Sequence, residues 1–372
     1  MTKSVVNPYE VEGKVDYDKL IDKFGVQKIT PQVLKEIEEI TGELHPYLRR
    51  GIFFAYRDLK KVLDDYKKGN KFFLYTGRAP SGPVHLGHIS VWIFMKWLQE
   101  KFNVDIWFQF PDEEKFLFKQ ETKWEDTQKW TQENMLDVIA LGFDPKKTHF
   151  LVDTKHAGIM YPEAVKVAKK ITFNSIKAAF GFNESNNIGS IFYTAMQTVP
   201  IFLPNVLSGK SENCLIPLGI DQDVHFRLSR DVVEKIGHKK PAIMHAKFMP
   251  PLTGIEGKMS SSKEETAIFM TDTPAQVKKK INKYAFSGGQ DTIEEHRKKG
   301  GNINVDIACQ WLKYFEEDDK KLAEIYEKYS KGELLSGEVK KILIDKINEF
   351  LAEHQKRRAQ AERLIDKFIY KV

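Results

Sequence analysis

The chain has 372 residues, 41 % hydrophobic and 12 % aromatic, more than one hydrophobic core usually organises, so it reads as a globular protein of two or more domains. No apolar run of 18 residues occurs, which argues against a membrane-spanning helix. Met1–Pro8 carries neither the apolar stretch of a secretory signal nor an Arg-rich transit pattern. Net charge is +6 with a pI near 8.9, which permits a polyanion-binding surface without demanding one. The two cysteines, Cys214 and Cys309, lie in apolar surroundings. They are read as buried thiols in a reducing, cytoplasmic setting, with no disulfide scaffold and no Cys-based zinc site.

In chain order, residues 1–50 read as an N-terminal extension. It contains a helix capped by Thr30, with Pro31 at its first position and Gly42 at its end. From Lys71 to Ala246 short buried strands alternate with helical patterns. The strands are Lys71–Thr76, Val104–Phe110, Thr148–Val152, Cys214–Leu218 and Pro241–Ala246, and Gly142 and Gly237 close two of the helices. Such alternation predicts an α/β fold, a Rossmann-like parallel sheet with helices on both faces. After Met270 the pattern turns all-helical. It begins with a capping box, Thr273-Pro274-Ala275-Gln276, and ends in a long amphipathic stretch from Ser336 to Ile369. The expected division is 51–270 as the α/β domain and 271–372 as an all-α domain. From Thr273 onward there are 21 Lys and Arg against 17 Asp and Glu. Runs such as Lys278-Lys279-Lys280 and Lys356-Arg357-Arg358 fit either a solvated helix face or a nucleic-acid contact.

Three motifs carry chemistry. Thr76–Gly82 is a glycine-containing turn after a strand, a place where backbone N–H groups can cradle phosphate. His85 and His88 follow, three apart near the start of a helix, so both imidazoles are expected on one helix face, able to donate to phosphate oxygens. Gly87 between them allows close approach of a nucleoside. Read alone, such a pair is more often chance or structural; the preceding strand and turn, and a second motif about 170 residues later, favour the chemical reading. No third ligand near the histidines supports zinc. The second motif, Gly257-Lys258-Met259-Ser260-Ser261-Ser262, sets a flexible lysine beside three hydroxyls, suited to a triphosphate or to a polar surface loop. Between the two lies Gly219-Ile220-Asp221-Gln222-Asp223, after a strand. Its carboxylates suit ribose hydroxyls or a helix N-cap.

With these stretches in view, the chain resembles the tryptophanyl-tRNA synthetases of eukaryotic and archaeal type, class I aminoacyl-tRNA synthetases. His85–His88 matches the family's HIGH motif and Lys258–Ser262 its KMSKS motif. Arg50–Phe54, Leu74–Arg78, Ile220–Asp223, Ala285–Gly289 and Asp291–Arg297 match further, and the likeness runs from about Asn7 to Lys367. The resemblance implies activation of tryptophan with ATP and Mg2+, followed by transfer to tRNA(Trp). It implies Arg78, His85, His88 and Lys258 as catalytic residues, and Gly77, Arg78, His85, Gly87, His88, Asp221, Lys258 and Ser260 as ATP-binding. Tyr75, Gln109, Glu114, Gln197 and Gln222 would surround tryptophan, with Tyr75 and Glu114 at the indole N–H. Asp291 and Lys340 would touch tRNA, and an insertion between the sheet halves, at about 112–213, would form a homodimer interface.

Two departures from the family pattern stand out. Ser261 occupies a position usually held by lysine, and the segment between Arg78 and His85 is one residue shorter than in animal relatives. Asn7–Gly13 resembles a hairpin that covers the nucleotide. The nearest rival is a tyrosyl-tRNA synthetase. Further rivals are a small-molecule nucleotidyltransferase, which needs no KMSSS loop, and a non-catalytic RNA-binding protein.

Overall fold

The computed structural model describes residues 5–6, 11–13, 15–260 and 266–372; Ser261 and Ser262 of the second motif, and residues 7–10 of the expected hairpin, lie outside the described residues. Two short strands, β1 (Val5–Val6) and β2 (Val11–Glu12), pair antiparallel. The other seven are β3 (Gln27–Lys28), β4 (Phe53–Arg57), β5 (Phe72–Gly77), β6 (Ile106–Phe110), β7 (Thr148–Val152), β8 (Asn213–Gly219) and β9 (Ala242–Ala246). They form one sheet in the order β3-β4-β9-β8-β5-β6-β7.

The five strands from β9 to β7 are parallel. Their residues are almost all buried, as expected of strands covered on both faces. Strand β4, unanticipated from the sequence, adds antiparallel to β9, and β3 adds antiparallel to β4. The sheet is therefore mixed, and a piece of the N-terminal extension belongs to it. Strand order reverses between β5 and β8, which have helices leaving in opposite directions. The crevice beyond their carboxyl ends is where such sheets bind ligands.

Local signals explain most helices. Thr30 caps the Pro31–Thr41 helix through Val33 N–H, and Gly42 ends it with φ 79°. The Thr273/Gln276 capping box opens the Pro274–Tyr284 helix. The long stretch forms a helix over Ser336–Ala361, then a 3-10 turn at Glu362–Leu364 and a short helix at Ile365–Phe368. Beyond it, Tyr370 N–H donates to Phe150 O, covering the β7 edge.

The Ser336–Ala361 helix packs on the Trp124–Ala140 helix. Arg358 Nε donates to Asp137 Oδ1 at 2.7 Å and Arg358 Nη2 to Glu133 Oε2 at 2.5 Å. Buried His354 Nε2 lies 3.1 Å from the same Asp137 oxygen. Gln355 Nε2 donates to the backbone oxygens of Met270 and Asp272. A second seam joins Arg49 and Arg50 to Asp319, with Arg50 also donating to Lys313 O and Glu316 O. Among the described residues no helix is long and apolar enough to cross a membrane.

Candidate active site

A cavity of about 390 Å³ opens at the ends of β5 and β8, within the range of small-molecule sites. Tyr75, Gly77, Arg78, His85, Gly87, His88, Gln109, Glu114, Gln197, Asp221, Gln222 and Lys258 all line it. Of the expected small-molecule residues only Ser260 is not on its wall. Asp291 and Lys340 lie elsewhere, Asp291 exposed beside the Ile293–Lys299 helix and Lys340 half-buried in the first turns of the Ser336–Ala361 helix.

One end of the cavity is built on the start of the Leu86–Phe102 helix. His85 is its N-cap with extended backbone, not a member of the helix. The two imidazoles therefore stack face to face, ring centroids 3.6 Å apart, instead of lying side by side on one helix face. His88 Nδ1 accepts from His85 N–H at 3.2 Å. That fixes the tautomer, leaving Nε2–H as a donor. Burial, aided by the charges of Arg78 and Lys258, pushes His85 down to about 3, and burial with Arg78 and His85 pushes His88 well below the usual histidine value. Both are neutral donors at physiological pH. Gly87 is required here: a Cβ would stand 3.0 Å from the His85 ring and 3.4 Å from Met259.

Arg78 is held by its own backbone and by a neighbour. Its N–H donates to Gln109 O at 2.9 Å, and its Nε to Asn134 Oδ1 at 3.1 Å. Asn134, wholly buried, donates in turn to Gly82 O at 3.0 Å. Burial lowers the Arg78 guanidinium to about 10, still cationic, and its Nη2 is buried without a protein partner. An orphan cationic N–H beside a cavity is a ready anion contact. Across the cavity Lys258 Nζ donates to Asp221 Oδ2 at 2.5 Å, so the second motif and the Gly219–Asp223 stretch meet through one ion pair. The chain after the motif returns to the first: Leu86 N–H donates to Ile268 O and Met270 N–H to Val84 O.

The other end is aromatic and apolar, walled by Phe118, Tyr193, Phe226, Ile216 and Leu218. Tyr75 Oη donates to Gln109 Oε1 at 2.5 Å. Glu114 accepts from Lys115 at 2.6 Å and Tyr193 Oη at 2.9 Å. Burial works to raise the Glu114 carboxyl, but Lys115, Tyr193 and His225 outweigh it and leave it lowered. Gln222 Nε2 donates to Asp221 Oδ2 at 3.0 Å, and Gln197 is the C-cap of the Ile188–Met196 helix.

Residues missed from the sequence include Asn134, Lys115, Tyr193, His225 and His245, and Asp223 takes a role other than the two expected of it. Asp223 binds Arg57 Nε at 3.0 Å and His245 Nε2 at 2.8 Å, so it anchors the Asp221–Gln222 turn from behind and supplies no ribose contact. Burial opposes its ionisation, yet the hydrogen bonds of His245 and Arg57 lower it to about 2. The Tyr17–Phe24 helix supports the floor: Tyr17 Oη accepts from Phe248 N–H at 3.0 Å, and Phe248 lines the cavity.

Comparison with known proteins shows the family. Residues 67–352 match the family of tRNA synthetases class I (W and Y). The chain is 53 % identical to a tryptophan–tRNA ligase of Saccharolobus solfataricus, over 98 % of this chain and 95 % of that one. It is 50 % identical to the Pyrococcus furiosus enzyme of the same name, over 98 % and 94 %. The solved tryptophanyl-tRNA synthetase of Plasmodium falciparum superposes with a TM-score of 0.90 at 47 % identity, covering 96 % of this chain and 98 % of that one. The chain therefore belongs to the class I aminoacyl-tRNA synthetases, in their tryptophanyl branch of eukaryotic and archaeal type.

Proposed function

We propose that this protein activates tryptophan with ATP to tryptophanyl-adenylate and transfers the tryptophanyl group to the 3′ end of tRNA(Trp). One observation carries the reading: a single cavity joins an aromatic pocket with polar handles to a cluster of neutral and cationic donors. The tryptophan carboxylate attacks the α-phosphorus of ATP in line, and pyrophosphate leaves with the bonding electron pair. No general base is needed, because the attacking carboxylate is already ionised. The protein's part is positioning and charge stabilisation. His85, His88, Arg78 and Lys258 would donate to phosphate oxygens, with Gly77 and Gly87 allowing close approach and Ser260 assisting. Asp221 would hold ribose hydroxyls once Lys258 turns to phosphate. Tyr75, Gln109, Glu114, Gln197 and Gln222 would hold tryptophan.

Among the described residues no group of three or more His, Cys, Asp or Glu converges as a metal cage. The site's carboxylates are committed to Lys258, Lys115 and Tyr193. Mg2+ is read as the counter-ion of the triphosphate, and no step above runs through it. Residues 51–270 would form the catalytic domain and 271–372 the anticodon-binding domain, with Asp291 and Lys340 at anticodon bases. A homodimer through 112–213 is supported by exposed Phe116, Tyr161, Val165, Ile188, Val206 and Leu207. Buried free Cys214 and Cys309 suit a cytoplasmic setting.

The test is ATP–pyrophosphate exchange with each of the twenty amino acids. Exchange with tryptophan alone is expected. Exchange with tyrosine would overturn the pocket assignment, and none at all would leave RNA binding as the better account.

A further inference from the structure

A chain of polar side chains runs from the aromatic pocket into the protein. Tyr75 Oη donates to Gln109 Oε1 at 2.5 Å, and Gln109 Nε2 donates to Asp153 Oδ2 at 2.7 Å. Tyr75, Gln109 and Asp153 are 2 %, 1 % and 1 % exposed. The Glu113 carboxyl is close enough to act directly on that of Asp153. The other charges acting on this pair, from Asp112 and Glu114, are negative. One oxygen of each, Asp153 Oδ1 and Glu113 Oε2, is buried without a conventional donor.

Two carboxyls that share a buried site hold a proton between them, because like charges in contact cannot both ionise. Burial raises Glu113 to about 7 and Asp153 well above the carboxylate range. One shared proton also answers the hydrogen-bonding need of the two orphan oxygens. The other Asp153 oxygen then faces Gln109 as an acceptor. That dictates which way the Gln109 amide lies: reversed, it would set Oε1 against a carboxylate oxygen. With Nε2 turned to Asp153, Oε1 faces Tyr75 and takes its only hydroxyl proton. The Tyr75 oxygen is left with lone pairs toward the cavity. An indole ring has an N–H to donate and nothing to accept with; a phenol can do either.

We infer that Asp153 and Glu113 are positioning residues that set the polarity of the amino-acid pocket. They orient Gln109, Gln109 takes the Tyr75 proton, and Tyr75 is left as an acceptor that selects a ring N–H donor. The inference rests on the tryptophan reading of the cavity and adds what makes the pocket choose an N–H.

The test compares kcat/KM in pyrophosphate exchange for tryptophan and for its analogue with sulfur in place of the ring N–H. Wild type is expected to prefer tryptophan by about tenfold or more, the worth of one well-placed hydrogen bond. Asp153→Asn lets Gln109 lie either way and is expected to cut that preference about tenfold through KM, with kcat for tryptophan little changed. Glu113→Gln still donates to Asp153 and is expected to keep the preference, which a merely structural role would not separate from Asp153→Asn. If Asp153→Asn does not fold, Gln109→Met breaks the same chain one link nearer and is expected to lose the preference. Wild-type preference in Asp153→Asn, or in Gln109→Met where that variant carries the test, overturns the inference. So does loss of preference in Glu113→Gln. Absence of wild-type exchange with tryptophan sinks the tryptophan reading instead, so the two failures are distinguishable.

Discussion

Asn134 joins Arg78 to Gly82: its Oδ1 accepts from the guanidinium at 3.1 Å and its Nδ2 donates to the glycine carbonyl at 3.0 Å. One amide thus fixes both ends of the turn between β5 and the first motif. Its own helix is fixed one residue earlier and three residues later, at Glu133 and Asp137, by Arg358.

Asn134→Ala would free Arg78 Nε and leave a buried carbonyl unpaired. A cost of roughly 1–3 kcal/mol is expected for such losses. It should surface as a rise of about tenfold or more in KM for ATP, with KM for tryptophan little changed. Steady-state exchange kinetics check this; an unaltered ATP KM in a folded variant would remove Asn134 from the site.

Lys258→Ala removes a cation that is held at the cavity by Asp221 before ATP arrives. A fall in kcat on the order of 10²–10³ is expected, by analogy with the loss of one transition-state donor. Tryptophan binding, followed by calorimetry, should be unaffected. A variant whose kcat stays within about threefold of wild type would contradict this role.

The depth of sequence legibility differs between elements. The five parallel strands and the capped helices follow from local patterns, since a buried parallel strand is a short apolar run and a cap is a fixed spacing. Strand β4 was not legible. Its partner β9 lies nearly 190 residues away, and nothing within Phe53–Arg57 announces an antiparallel neighbour. Asn134 was equally hidden. A polar residue in an amphipathic helix is normally a solvated one, and only the tertiary fold turns it onto Arg78. Asp223 had two sequence readings, ribose contact or cap, and the fold gave it neither: Arg57 and His245 reach it from β4 and β9.

The pH dependence has a definite sign. His45, His85 and His225 are pushed down to about 4, 3 and 4, in each case chiefly by burial. Their unfolded forms take up protons near pH 6.5, so the stability they carry is full above about pH 6.5 and is lost on acidification toward about pH 3. The raised Glu113 and Asp153 act oppositely, losing stability as pH rises toward about 7 and beyond. Melting temperature should therefore peak near about pH 6.5–7 and fall on the acid side. The exchange rate should show no histidine inflection between about pH 5 and about pH 8. An inflection near 6.5 that vanished in His85→Asn would refute the neutral-donor assignment.

Arg358→Ala strands Asp137, which is 2 % exposed. Removing one partner of a buried pair typically costs about 3–5 kcal/mol. Buried His354, on the same carboxylate, keeps part of the contact, so about 2–3 kcal/mol is expected. Urea unfolding measures it. The loss should shrink in the Asp137→Asn background, where no charge is left to strand, and an additive double variant would show the pair to be uncoupled.

The Ser336–Ala361 helix is a rod of about 39 Å. Lys340 sits near one end, and Gln355 and Arg358 near the other, the latter two gripping the backbone behind the second motif and the helix behind Arg78. Such a rod limits how this gene can change in length. One inserted residue between Lys340 and His354 would swing everything beyond it by about 100° and carry it about 1.5 Å along the axis. Asp137 and the Met270 carbonyl would lose their partners together. Only an insertion or deletion of about seven residues, two full turns, restores the face, and it would displace Lys340 by about 10 Å. The helix is thus free to vary along its solvent side but closed to small changes of length.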